Sequence, residues 1–202
     1  MNLDLASLDA QTAYALLTGA ILPRPIAWVS TFDASGVSNL APYSFFTVAS
    51  VWPPVLAVAQ VNPRDGSDKD TLRNLRKTGA CIVNVVSHAQ AASMNATAAP
   101  LPAGVSEFER CGIAAVTGLA VDAPGVAEAP VRYECRLREI VAVGEGPMAG
   151  QLMLLDVVHI SIADEVLHEG RIDPALLDAV GKLGGEAYSS TRDRFTMARP
   201  TT

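Results

Sequence analysis

The chain has 202 residues, half of them hydrophobic, which is enough for a real buried core. Fifteen basic residues against 21 acidic ones give a formal net charge of −6, so nucleic acid is not the expected partner and any anionic ligand must be held by a local cluster of donors. Pro, Gly or charge interrupts every apolar run before it could span a bilayer, so no membrane partner is expected. The N-terminal MNLDLASLDA carries acids where a secretory signal carries bases, which makes the cytoplasm the expected location.

In chain order, residues 8–18 (LDAQTAYALLT) predict a short helix stopped by Gly19. The apolar run Ile26 to Val29 turns polar at Ser30 and Thr31, and the Asp33–Gly36 turn then closes a hairpin. The return strand ends in Asn39-Leu-Ala-Pro-Tyr-Ser44. Pro42 has no N–H for a ladder, so this backbone should bend at an edge or bulge. Either an edge strand leading into a loop or a ligand-facing strand has this pattern. Trp52-Pro-Pro54 punctuates the chain, and Val55–Val61 reads as a strand. The polar loop from Asn62 to Asp70 feeds a helix over 71–78, with Leu72 and Leu75 on one face and Gly79 ending it. Ala80 to Val86 predicts a further strand.

Residues 87–105 are small and Pro-containing, and read as a partly helical excursion over the surface. Ser106-Glu-Phe-Glu109 has capping-box spacing for a short helix ending near Gly112. Residues 131–140 alternate apolar and charged side chains, predicting a strand with one wet face. A turn around 144–150 leads to a long strand over 152–162. Asp173-Pro174 opens a helix expected to stop at Gly181. Nothing in repeats, linkers or charge blocks divides the chain, so 1–202 is expected to be one strand-dominated domain.

The residues offer one good anion site. Ser67-Asp-Lys-Asp-Thr71 sits at the start of a helix, where unpaired N–H groups and the positive end of the dipole face outward. Lys69 adds a charge, and Ser67 and Thr71 add hydroxyls, a set that suits a phosphate monoester. The alternative is a helix capped by Asp70 with Lys69 solvated. Gly144–Gly150 fails as a dinucleotide loop because Pro147 intrudes and a strand follows. Asp65–Asp70 fails as a calcium loop because Arg76 stands at the twelfth position. Cys81, Cys111 and Cys135 lack CxxC spacing and read as reduced, buried thiols, and His88, His159 and His168 make no metal-binding pattern. No catalytic acid, base or nucleophile stands out, which fits chemistry carried by a bound cofactor.

PRPIAWVST, SNLAPYSFF, SDKDTLRNLR, MNATAAPLPAGVSEFE and RIDPALLDAVGKLGG occur in the order seen in the flavin reductase-like, FMN-binding split-barrel proteins, which include flavoredoxin. The resemblance runs from about Pro23 to Tyr188. It implies a mainly β fold, a six-stranded Greek-key split barrel with short flanking helices, working as a homodimer with FMN near the subunit interface. It assigns Ser30, Thr31, Asn39, Leu40, Ala41, Pro42, Tyr43 and Ser44 to the flavin. It gives Ser67, Lys69, Asp70 and Thr71 to the phosphate, in agreement with the helix-terminus argument. Met94–Thr97, Leu183–Gly185 and Tyr188 are expected to line the outer edge of the flavin, with Gly184 and Gly185 allowing close backbone approach.

Several flavin reductases of this kind carry a His at the start of the late strand. Gln151 stands nearest that position here, and His159 lies further along, facing either the barrel or the flavin. The resemblance therefore implies an FMN-dependent oxidoreductase, an NAD(P)H:flavin reductase. The alternatives are a flavoredoxin-like carrier serving a redox protein or monooxygenase partner, and a flavin-binding module without turnover.

Overall fold

The computed structural model describes residues 2–65, 67–102 and 104–200. Among them, no helix is long and apolar enough to cross a membrane. The chain opens with helix α1 (Ala10–Ala20), whose N-cap Asp9 accepts the N–H groups of Gln11 and Thr12 at 2.9 Å. Gly19 does not stop it. The helix runs on to Ala20, and carbonyls at its end accept from the Arg24 guanidinium, which donates to Thr18 O at 2.5 Å and to Ile21 O at 3.0 Å. Arg24 begins the two-residue strand β1 (Arg24–Pro25) and is 5% exposed.

The predicted hairpin forms as β2 (Ala27–Phe32) and β3 (Ser38–Tyr43), with Gly36 at φ +90° past the turn. β4 (Phe45–Ser50) follows after the single residue Ser44, and β5 (Val55–Val61) lies where the apolar run placed it. Helix α2 (Asp70–Thr78) ends on Gly79 in the left-handed region, and β6 (Ala80–Val85) follows. The excursion holds a short turn and α3 (Ala91–Ala96), then α4 (Glu107–Cys111). β7 (Ala115–Thr117) and β8 (Pro124–Val126) pair with each other, and β9 (Val131–Val143) and β10 (Gly150–Ile162) form the longest ladder. The chain closes with β11 (Leu167–His168), β12 (Arg171–Ile172), α5 (Pro174–Leu177), β13 (Val180–Lys182) and β14 (Tyr188–Ser190).

Seven strands form one antiparallel sheet in the order β3-β2-β6-β9-β10-β5-β4. Its two edge strands, β3 and β4, are consecutive in the chain and separated only by Ser44. The sheet therefore curls until its edges meet at the Pro42-Tyr43-Ser44 corner. Counted as one bent strand, β3 and β4 give the six strands expected. The run Ile26 to Val29 is continuously apolar because both faces of β2 are covered. Ala27 and Val29 join Leu56, Val58, Leu72, Leu75 and Met153 inside the barrel, while Ile26 and Trp28 join Leu40, Met94 and Phe108 outside it. Cys81 and Cys135 are register partners across β6 and β9, free and fully buried, whereas Cys111 is partly exposed.

Three further local expectations differ. The Ser106 hydroxyl does not cap α4 but meets Ser38 Oγ at 2.6 Å, so a tertiary partner wins over the capping box. Helix α5 is a single turn ending at Leu177, with Asp178 at φ +44°, and Gly181 lies in β13 instead of ending a helix. Residues 180–182 are taken by pairing with β1 and β14, and a Cβ on Gly181 would stand 2.8 Å from Pro23 Cβ. On β9 the wet face fails at Glu134, which is 2% exposed and accepts N–H groups from Leu119, Ala120 and Val121. Burial works to raise its pKa, but those three donors together with the nearby His159 outweigh it and hold the carboxyl below its usual value.

Candidate functional site

The site follows from the exposed edge of β3. The Leu40 N–H points away from β2 and donates to Glu107 Oε2 at 2.9 Å. Two residues on, Pro42 faces the same open side, so its missing donor removes no ladder bond. That is why the edge tolerates proline, and why a cleft can run along it.

A cleft of 640 Å³ lies between this edge, the start of α2 and the 97–101 segment, a size that suits a small-molecule ligand. It is lined by eight of the twelve residues expected at the flavin: Asn39, Ala41, Pro42, Tyr43, Ser67, Lys69, Asp70 and Thr71. Ser44 lines two smaller hollows that continue it past Pro42 and Tyr43. The remaining three turn inward. Ser30 is fully buried, donating to Pro124 O and accepting Asn84 Nδ2 at 3.1 Å. Thr31, also buried, accepts Asn74 Nδ2 from α2 at 3.0 Å. The Leu40 side chain packs with Trp28 and Phe108. Ser30, Thr31 and Leu40 thus hold the walls in place and do not line the cleft.

Helix α2 is presented to the cleft by two amide side chains. Asn39 Nδ2 donates to Thr71 Oγ1 at 3.0 Å, and Asn74 fixes the next turn through Thr31. Lys69 is the N-cap residue, yet no side chain caps the helix there, so its first N–H groups remain available. The neighbouring cations are neutralised, with Arg73 on Asp70 and Arg76 on Asp68. Lys69 is different. It makes no ion pair among the described residues, and its Nζ sits 5.6 Å from the centre of the Tyr43 ring. It keeps solvent access along the cleft, but surrounding protein desolvates the ammonium enough to lower its pKa.

Tyr43 forms the floor. Burial, with the Glu107 charge adding to it, pushes its pKa up to about 12, so the phenol stays protonated. Among the described residues its buried hydroxyl has no hydrogen-bond partner; Thr71 lies close enough to oppose the shift without making a bond. An orphaned donor in the wall of a cleft is a place for a polar ligand group. Glu107, missed from sequence because it reads as a first-turn helix acid, is 7% exposed and lines the cleft. Burial raises its pKa, and the Leu40 N–H only partly offsets this.

At the far end, one hollow is lined by Ile26, Met94, Lys182 and Tyr188 together with Pro42, Tyr43, Ser44 and Ala98. The Tyr188 hydroxyl donates to Asn95 Oδ1 at 2.9 Å, so the expected outer-edge segments do meet. Among the described residues, and apart from the chain neighbours, no atom lies within 4 Å of where a Cβ on Gly184 or Gly185 would stand, and Gly185 adopts a φ of +56°. His159 faces neither barrel nor cleft. It is partly exposed, with Nδ1 3.2 Å from Glu134 Oε1 but poorly aligned for a hydrogen bond, and Gln151 pairs with Gln60 away from the cleft lining.

A curled antiparallel barrel carrying a long cleft, with an anion-ready helix start at one end and an apolar, aromatic hollow at the other, defines a flavoprotein of the split-barrel class. Residues 19–185 match the model of the flavin reductase like domain, and the chain belongs to that family. Among solved structures, nitrilotriacetate monooxygenase component B from Bacillus cereus superposes with a TM-score of 0.93 at 32% identity, covering 98% of each chain. The 2-nitrobenzoate 2-nitroreductase NbaA of Pseudomonas fluorescens gives 0.89 at 28%, covering 100% of this chain and 97% of that one. A Shewanella frigidimarina protein with a split barrel domain shares the fold at 20% identity, with a TM-score of 0.83 over 99% and 100% of the two chains.

Proposed function

We propose that the chain, as one domain over 1–202, is an FMN-dependent oxidoreductase of the NAD(P)H:flavin reductase type, acting in the cytoplasm. The observation that carries this reading is the unpaired Lys69 beside the uncapped start of α2, at one end of a cleft whose other end is apolar and aromatic. Lys69, Ser67, Thr71 and the first N–H groups of α2 would hold the FMN phosphate. Asn39, Ala41, Pro42, Tyr43 and Ser44 would line the ribityl chain and ring, with the orphaned Tyr43 hydroxyl gaining a partner. Asp70 is occupied by Arg73, which keeps its negative charge compensated beside the phosphate. Bound FMN would supply the two-electron chemistry, and reduced nicotinamide is the proposed donor. The protein's part is to bind, orient and exclude water.

The protein is proposed to work as a homodimer. Val48, Val51 and Trp52 are 61%, 83% and 90% exposed around the β4–β5 turn, an apolar tip that supports burial against a second copy. A monomeric mass by light scattering at micromolar concentration would contradict this.

A second reading is a flavoprotein that hands electrons to a protein partner, either a flavoredoxin-like carrier or the reductase side of a monooxygenase pair. The likeness to a monooxygenase component B supports it. Titrating the apoprotein with FMN and following flavin fluorescence tests the shared premise: saturation at one FMN per chain is expected, and no saturable binding would refute it. Slow reduction by both nicotinamides with fast reduction by a redox protein would favour the second reading.

A further inference from the structure

The hollow at the far end of the cleft holds a cation, Lys182, which lies in the RIDPALLDAVGKLGG segment but was given no role from sequence. Lys182 is the last residue of β13, and its Nζ donates to Gly185 O at 2.5 Å and to Ala187 O at 3.2 Å. It also lies 4.1 Å from the centre of the Tyr188 ring, and Tyr188 is itself tied to Asn95. An ammonium has three donors, so one N–H is left over. Two carbonyls and an aromatic face thus fix the charge in a hollow shared with Tyr43, Ser44 and Met94.

Its cross-strand partner on β1 is Arg24, a second cation. Like charges placed opposite each other on a ladder repel. Among the described residues neither makes an ion pair; Arg24 is satisfied by the carbonyls of Thr18, Ile21 and Leu183. Glu186, next along the exposed turn, makes no ion pair with Lys182 either. This end of the cleft is therefore held positive by groups that do not need to move. A fixed charge stabilises negative charge that develops near it without reorganisation at the moment of transfer.

We propose that Lys182 sets the redox balance of the site, making it hold the reduced flavin more tightly than the oxidised one. The inference rests on the FMN reading given above. With the phosphate at Lys69, a ring system lying along Pro42 and Tyr43 would reach the hollow that Lys182 lines. A hydride carries two electrons and one proton, so the flavin gains one negative charge as the nicotinamide donor loses it. Lys182 supplies the compensating charge, while Lys69 at the opposite end acts on both redox states alike.

The test is the midpoint potential of FMN bound to the wild-type protein, Lys182→Gln and Lys182→Arg, measured beside free FMN. Gln keeps a donor for the Gly185 and Ala187 carbonyls while removing the charge, and Arg keeps the charge. The wild-type potential is expected to lie above that of free FMN. In Lys182→Gln the preference for reduced over oxidised flavin should fall tenfold or more, read as a drop of about 30 mV for a two-electron couple. Lys182→Arg should restore most of it. A purely structural role would weaken both redox forms together and leave the potential in place. An unshifted potential in Lys182→Gln overturns the inference, as does a wild-type potential below that of free FMN, which needs no variant to fold. Failure of the wild-type protein to bind FMN at all would overturn the parent reading, and the inference with it.

Discussion

Replacing Lys69 with Ala separates the phosphate contact from everything else in the cleft. Among the described residues the side chain caps nothing and pairs with no carboxylate, so its loss removes no structural bond from α2. The apoprotein should stay within about 0.5 kcal/mol of wild-type stability, as for a surface change touching no special feature. FMN affinity should fall by about 1.5–3 kcal/mol, the range for a hydrogen bond to a charged group. That is roughly a 10- to 150-fold rise in Kd, and the solvent access of Lys69 favours the lower end. Riboflavin, which lacks the phosphate, supplies the control. Fluorescence titrations of both flavins against wild type and Lys69→Ala should show a loss for FMN and almost none for riboflavin. Unchanged FMN affinity would refute the phosphate placement, and an equal loss for both flavins would show that Lys69 acts on the ring or the fold instead.

The buried carboxylates give predictions of opposite sign. Glu107 has a raised pKa in the folded state, so the folded protein holds its proton more tightly than the unfolded chain, and stability falls as pH rises from about 4.5 through the folded pKa. Glu107→Gln keeps an acceptor for the Leu40 N–H and should flatten that part of the Tm-against-pH curve; an unchanged curve counts against it. Glu134 has a lowered pKa, so its contribution is present above about pH 4.5 and disappears as pH falls through the folded value. Glu134→Ala should cost about 1–3 kcal/mol at pH 7, because the Val121 N–H is buried whereas water can reach Leu119 and Ala120. The gap to wild type should narrow in acid, and a constant gap would show that the charge plays no part. Gly181→Ala pushes a Cβ against Pro23 and Ser189 and should cost about 1–3 kcal/mol in a denaturant melt, with no loss if β1 and β13 can part freely.

How much of this could be read from sequence depends on whether the signal is local. β5 and α2 were legible because Val55–Val61 is an uninterrupted strand-length run and Leu72 and Leu75 share one helical face before Gly79. The edge at Pro42 was legible because proline has no N–H to donate, which confines it to the open side of an edge strand. Ser106 misled because its capping role is set by Ser38, 68 residues away. The helix expected to reach Gly181 was cut short because β1 recruits residues 181–182, a pairing that no local propensity encodes. Ser30 and Thr31 were given to the flavin by the resemblance alone, and both hydroxyls are spent on holding β6, β8 and α2 in place. Glu107 and Lys182 gain their meaning only from tertiary placement, the first from the Leu40 amide and the second from the cleft end opposite Lys69.

The most direct test of the central claim is an anaerobic absorbance trace of the FMN-loaded protein on addition of NADH and then NADPH. Bleaching of the flavin band within seconds with at least one donor is the predicted result, and it names that donor. A yellow band that persists with both, in protein that has kept its FMN, would contradict a nicotinamide-dependent reductase and leave the partner-reduced flavoprotein.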